Sequence, residues 1–288
     1  MSHYPLGGWV RPPRDSRDWQ YAAPRTLLAA GASVEAFDLG PNWRGQMFDQ
    51  GSANTCGPCA ASADILHDEY IQNTDPAPTP SRQFIWWIAR QFQGTLDYPS
   101  GVSNYSMLKA LAEHGWCKNS LCPDDPDHRK RPSDAAFADA AARKNTLTYY
   151  EVPRDLDQMR ACLVGGDPFL IGFMAYTSFR STEVLSTGVM PMPKAGEAVI
   201  GGHAVVACGF NNSTGRIKFK NSYGLGWGSK GFGEIPYAYL LDPNLSGDFR
   251  TIRWRSTAPA PTPVPTPTPA VTDEIRVQVV DGKLVVIR

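Results

Sequence analysis

The sequence has little of what marks several large function classes. No sign of charge dominates: 28 Lys and Arg stand against 28 Asp and Glu, a formal net charge of zero. A balanced chain carries no basic footprint for nucleic acid or an anionic membrane, so neither is expected as a partner. Cysteine is scarce, six in 288 residues, far below the density of a disulfide-stapled scaffold. No stretch approaches the roughly 18 consecutive apolar residues of a membrane span. The opening Met1-Ser-His-Tyr-Pro-Leu-Gly-Gly has no basic region followed by an apolar run. No signal peptide is therefore expected, and the expected compartment is the cytoplasm; export without a leader leaves no such mark.

Charged residues make up only 19% and aromatics 11%, too apolar and too aromatic for a disordered chain. Glycine (26) and proline (25) are abundant, which demands many turns and argues against a compact helical bundle. A chain of this length buries about three quarters of its unfolded surface, so its core needs no staples.

The chain divides along its length. Residues 1–36 form an irregular lead with Pro12, Pro13 and Pro24 and the charged run from Arg14 to Asp18. Residues 37–255 read as globular. Residues 256–273 are rich in Pro and Thr, and alternating prolines favour an extended polyproline strut. Residues 274–288 hold two β-rich runs around Asp281-Gly282, the signature of a hairpin. That hairpin carries none of the candidate chemistry.

Within the globular part, helical patterns come early. Cys59, Ala63, Leu66 and Tyr70 fall on one helical face. Phe84 to Phe92, Ser103 to His114, Ala135 to Arg143 and Asp155 to Leu163 follow as further helices. Strands come late, in Phe169 to Met174, Ala204 to Phe210 and Arg216 to Lys220. A helical half followed by an antiparallel half is an α+β fold with a cleft between the halves.

The chemistry concentrates in Asp49-Gln50-Gly51-Ser52-Ala53-Asn54-Thr55-Cys56-Gly57-Pro58-Cys59. Pro58 suits a first helical turn, which puts Cys56 at a helix N-terminus. The partial positive charge there favours thiolate, the nucleophilic form. Cys59 heads the apolar stripe and reads as a core residue. A dithiol redox reading of Cys56 and Cys59 competes, but the Trp-bearing strand that such a motif follows is absent. Gln50 offers a side-chain amide that, with the Cys56 backbone N–H, can face a developing oxyanion. His203, one of five histidines, stands at the start of a strand behind Gly201 and Gly202, which let another group approach closely. Asn221 follows in Lys220-Asn221-Ser222-Tyr223-Gly224-Leu225-Gly226-Trp227-Gly228, and an amide can hold an imidazole in one tautomer and orientation.

These three blocks, in this order and spacing, resemble the papain family of cysteine proteases over roughly residues 37–255. Leu6 to Val10 and Asp15 to Trp19 are similar to the opening of its bacterial branch. The resemblance implies a two-lobed α+β papain-like fold, a helical lobe plus an antiparallel β lobe with an interlobe active-site cleft. It implies Cys56 as nucleophile, His203 as base and then acid, Asn221 as its orienter and Gln50 as oxyanion donor. Gly101 resembles the glycine loop that pairs with substrate backbone. Gly202 lies on the substrate-binding side, and Trp227 packs near Asn221 as a shield at the same site. Of the pocket walls, the resemblance reaches Gly172 and Ile200.

Departures from the family pattern are Gly57 in place of a tryptophan after the nucleophile, Tyr223 as the first aromatic after Asn221, and Ala53 in place of a cysteine. The Cys-Gly-Pro start is also similar to peptidases that trim bacteriocin leaders at double-glycine sites, which carry Asp where this chain has Asn221. Cys117 and Cys122 flank a turn and are able to bridge if oxidised. Cys162 and Cys208 read as core thiols, and no metal or cofactor is expected. The expected partner is a peptide or protein substrate. The lead is expected to lie extended over the cleft in cis, with Trp9, Trp19 and Tyr21 as anchors, or else to act as a strap on the back of a lobe. An inactive peptide-binding homologue remains the alternative to an endopeptidase.

Overall fold

The computed structural model describes residues 6–13, 18–40, 43, 46–71, 77–144, 146–254, 276–280 and 283–287. The Pro/Thr-rich strut and the Asp281-Gly282 turn lie outside the described residues. The helices are α1 (Arg25–Ser33), α2 (Cys56–Ile71), α3 (Arg82–Gln93), α4 (Asn104–His114), α5 (Asp134–Ala141), α6 (Leu156–Val164), α7 (Thr182–Thr187) and α8 (Tyr237–Leu241). The strands are β1 (Ala36–Asp38), β2 (Leu147–Glu151), β3 (Phe169–Tyr176), β4 (Val199–Asn211), β5 (Arg216–Lys220), β6 (Phe232–Pro236), β7 (Ser246–Trp254), β8 (Arg276–Val280) and β9 (Lys283–Ile287).

Helix starts follow from capping chemistry. The side chains of Ser81, Ser103 and Asp155 accept from the N–H of Phe84, Ser106 and Gln158, satisfying one of the orphan donors at each helix start. Helix α2 is different: Cys56, Ala60, Ala61, Ala63, Ile65 and Leu66 are all buried. Buried on all sides, polar Ser62, Asp64, His67, Asp68 and Glu69 included, it is a central helix rather than a surface one, and it packs on β4.

The antiparallel sheet runs β2-β7-β3-β4-β5-β6, with β1 added to β4. One core packs Phe169, Phe173, Val205, Phe210, Phe219 and Trp227 with α6. A second packs α2, α3 and α4 through Ile65, Phe84, Ile88, Met107 and Leu111. The expected helical and β halves are both present, and near the C-terminal end β8 and β9 pair antiparallel as a sheet of their own.

Three expectations needed correction. His203 does not start a strand; it is the fifth residue of β4, because Val199 to Gly202 continue the pairing with β3. The lead is not irregular throughout: α1 forms in it, burying Leu27 and Gly31, with Gly31 set close against Arg160 and Ala161 of α6. Trp19 is no anchor, being 64% exposed, while Trp9 (2%) and Tyr21 (6%) are buried. All six cysteines are free thiols.

Candidate active site

Three elements bring the sequence blocks together. Helix α2 presents Cys56 in its first turn, β4 presents His203, and the turn after β5 presents Asn221. His203 Nε2 lies 2.8 Å from Asn221 Oδ1. The Ser222 N–H also donates to that Oδ1 at 2.8 Å, which fixes it as the acceptor end of the amide. Nε2 therefore carries the proton, and Nδ1 is left as the basic nitrogen. The backbone N–H of Ala204, the residue after His203, donates to Cys56 Sγ at 3.3 Å.

Aromatic rings enclose the imidazole. Tyr223 stacks on His203 with centroids 4.9 Å apart, and Phe173 meets its edge at 5.5 Å. The Tyr223 hydroxyl stands 3.4 Å from Nδ1. Trp227 lies behind Tyr223, buried against Phe179 and Phe219. It packs in the sheet-side core beside Tyr223, the ring that stacks on the histidine.

Gln50 is held on two sides. The Ser222 hydroxyl donates to its Oε1 at 2.6 Å, and its Nε2 donates to the Ala53 carbonyl at 2.8 Å. One Nε2 proton remains available beside the start of α2, where the Cys56 N–H is itself among the orphan donors. Cys59 belongs to the helical core, whereas Cys56 packs with Trp9 and Ala204. The two thiols serve different packing clusters.

The lead crosses this site. The Gly7 N–H donates to the Gly202 carbonyl at 2.8 Å, and the Val102 N–H donates to the Gly8 carbonyl at 2.9 Å. Both walls of the cleft therefore grip one extended strand. A Cβ on Gly8 would fall 2.4 Å from Cys56 Sγ, one on Gly101 2.2 Å from the Gly7 carbonyl oxygen, and one on Gly202 2.1 Å from the Trp9 carbonyl oxygen. The close approach expected of Gly101 and Gly202 is used here by the lead itself. Its second half is a strap: the Tyr21 N–H donates to the Glu151 carbonyl at 2.8 Å, and Tyr21 and Leu27 enter the sheet-side core.

Burial sets the electrostatics. The helix terminus favours thiolate, yet desolvation dominates and pushes the Cys56 thiol up to about 12, the Ala204 N–H opposing it only in part. Desolvation also pulls His203 down to about 4 against the Asn221 hydrogen bond. Covered, the pair is neutral thiol and neutral imidazole at pH 7. Iodoacetamide should therefore leave Cys56 of the intact chain nearly unmodified at neutral pH and modify it faster as pH rises through the alkaline range. In Trp9→Ala, which frees the lead, alkylation at pH 7 should be at least about tenfold faster. Peptide mapping of the alkylated cysteine reads both. Rapid labelling of Cys56 in the intact chain at pH 7 would sink the occlusion account.

Two residues beside the site were not foreseen: Tyr223, and Asp248, whose Oδ2 accepts from the Trp9 indole N–H at 3.1 Å. The first was visible as an aromatic two positions after Asn221. The second lies in a stretch with no motif and reaches the cleft only through the place of β7 beside β3.

No family model matches the chain. It is 32% identical over 214 residues to an uncharacterised peptidase C1-like protein of Acanthamoeba polyphaga mimivirus, covering 72% of this chain and 69% of the relative. It is 25% identical over 172 residues to a cathepsin B-like cysteine proteinase of Caenorhabditis elegans, spanning 54% of this chain and 47% of that protein. Among solved structures, xylellain, a cysteine protease from Xylella fastidiosa, superposes with a TM-score of 0.80 at 30% identity, covering 87% of this chain and 97% of that one. Procathepsin B from Trypanosoma congolense shares the fold at a TM-score of 0.62 and 16% identity, over 86% of this chain and 85% of that one.

Proposed function

Because the chain belongs to the papain-like cysteine protease family, we propose that it is an endopeptidase acting through a thioester acyl-enzyme at Cys56, and that its lead keeps it latent. The supporting observation is the meeting of the three blocks: the imidazole on Asn221 at 2.8 Å, and the next residue's N–H on Cys56 Sγ at 3.3 Å.

Once the lead leaves, water and substrate reach the pair, and the thiol proton passes to His203 Nδ1. The thiolate attacks the scissile carbonyl carbon, forming a C–S bond and an oxyanion that the Gln50 amide and the Cys56 N–H face. His203 returns its proton to the leaving nitrogen as the C–N bond breaks. A water then gives its proton to His203 and its oxygen to the thioester carbon, the C–S bond breaks, and the thiol is restored. Asn221 holds the Nε2–H tautomer throughout, and Tyr223 with Trp227 behind it keeps water off that hydrogen bond.

The test is a panel of fluorogenic peptides with the lead released. His203→Ala should lower kcat by several orders of magnitude, and Asn221→Ala by a smaller factor, because it disturbs orientation but leaves the base. An unchanged rate in His203→Ala removes the mechanism.

A further inference from the structure

We propose that the pocket filled by Trp9 is the side-chain pocket through which the cleft selects its substrate, and that Asp248 makes it choose tryptophan over both phenylalanine and arginine. This rests on the peptidase reading only in taking the cleft to be where a substrate peptide lies.

The pocket is built for an indole. Trp9 is buried and packs with Cys56, Ala204 and Met174, so its side chain lies next to the reacting sulfur. Gly172 on β3 supplies the slot: a Cβ there would lie 2.1 Å from the indole ring. The indole N–H donates to Asp248 Oδ2 at 3.1 Å. An acceptor placed at the end of a flat apolar slot matches tryptophan in both shape and donor. Phenylalanine would fill the slot and leave that contact unmade.

An acidic residue in a pocket ordinarily invites a cation, but here its charge is already matched. Asp248 Oδ2 accepts from the Asn104 N–H at 2.6 Å, and Oδ1 accepts from the Tyr105 N–H and from Arg250 Nε, each at 3.2 Å. Asn104 and Tyr105 open α4, so the positive helix terminus adds to the Arg250 charge. Arg250 is itself buried and pairs with Asp18 at 2.9 Å. The Arg154 guanidinium reaches the neighbouring Gly247. A substrate guanidinium or ammonium would enter beside these cations with no free counter-charge. A neutral donor adds a hydrogen bond without adding charge. Asp248 holds this place with a left-handed backbone, φ 56°, a conformation a non-glycine residue rarely adopts.

The lead shows how a peptide enters: Gly7 and Gly8 bond to Gly202 and Val102 on the two walls while Trp9 drops into the slot. The experiment uses the full chain with Cys56→Ala and Trp9→Ala, which empties the pocket and blocks turnover. Calorimetric titration compares acetyl-Leu-Gly-Gly-X-Val-amide with X as Trp, Phe or Arg. The Trp peptide should bind at least about tenfold tighter than either of the others, as a hydrogen bond to a charged acceptor implies. Asp248→Asn should narrow the Trp-to-Phe ratio. Gly172→Ala, which leaves Asp248 and its partners unchanged in sequence, should abolish the Trp advantage by filling the slot. Equal affinities, an arginine preference, or no binding of any peptide overturns the proposal. A second arm measures turnover by Trp9→Ala with Cys56 intact, on fluorogenic peptides varied one position at a time. Hydrolysis with no tryptophan preference at any position sinks the pocket and spares the peptidase reading. Trp-selective binding with no hydrolysis does the reverse.

Discussion

Cys56→Ala should abolish peptide hydrolysis in a chain whose lead has been released, lowering the rate by a factor on the order of 10⁴ or more, whereas Cys59→Ala should keep most of it. Cys56 packs with Trp9 of the lead and with Ala204 beside the imidazole. Cys59 is one turn further along α2 and buried among Ala63, Trp87 and their neighbours. Its truncation removes one sulfur from a packed core, a cost of about 1–2 kcal/mol borne by stability rather than rate. Steady-state kinetics on the peptide panel, with thermal unfolding as the control for folding, separates the two effects. A dead Cys59→Ala beside an active Cys56→Ala would reverse the assignment and revive the dithiol reading.

Two truncations of the lead should have opposite principal effects. Removing the first 13 residues takes away the strand over Cys56 and the Trp9 side chain but leaves Tyr21 and α1 in place. Burial of an indole contributes about 3 kcal/mol to docking, so its loss raises the open population about a hundredfold, and kcat/KM should rise steeply. Removing residues 1–36 opens the cleft as well, but strips Tyr21 and Leu27 from the sheet-side core and Asp18 from buried Arg250. Two large apolar side chains at about 2–3 kcal/mol each should lower Tm by roughly 10–20 °C. Activity assays and calorimetry on the pair read the outcome. If the shorter deletion fails to activate, the strand over Cys56 is not inhibitory.

Much of the helical lobe was legible because its boundaries are written in local chemistry. Ser81, Ser103 and Asp155 cap, Gly115 ends α4, and the apolar spacing between them has the helical period. Helix α1 escaped because Pro24 offers no capping side chain and Gly31 interrupts the pattern. Strand β7 escaped because Asp248, Arg250 and Arg253 give it the look of a surface loop; their burial against the lead, α4 and Asp167 is a tertiary matter. The same division runs through the site. Gln50, Cys56, His203 and Asn221 are marked by residue type and spacing. Asp248 is brought to the cleft by a strand late in the chain that pairs beside β3, which no local pattern encodes. At Cys56 the helix terminus is a local effect, while the burial that opposes it is tertiary and includes a strand 48 residues earlier, at Gly8.

The lead joins a cleft-filling strand at residues 6–10 to a strap that starts near Asp18, and this changes what the inhibitor must achieve. Held by its own strap, the strand confronts the cleft at an effective concentration in the millimolar range typical of short tethers. A segment so tethered needs less affinity of its own to cover the site than a free peptide would. One cut between Pro13 and Asp18, a stretch that carries Arg14 and Arg17, would leave the strap folded and every core contact intact. The severed strand would then face the cleft only at the bulk concentration of the protein, and dilution would hold the enzyme open.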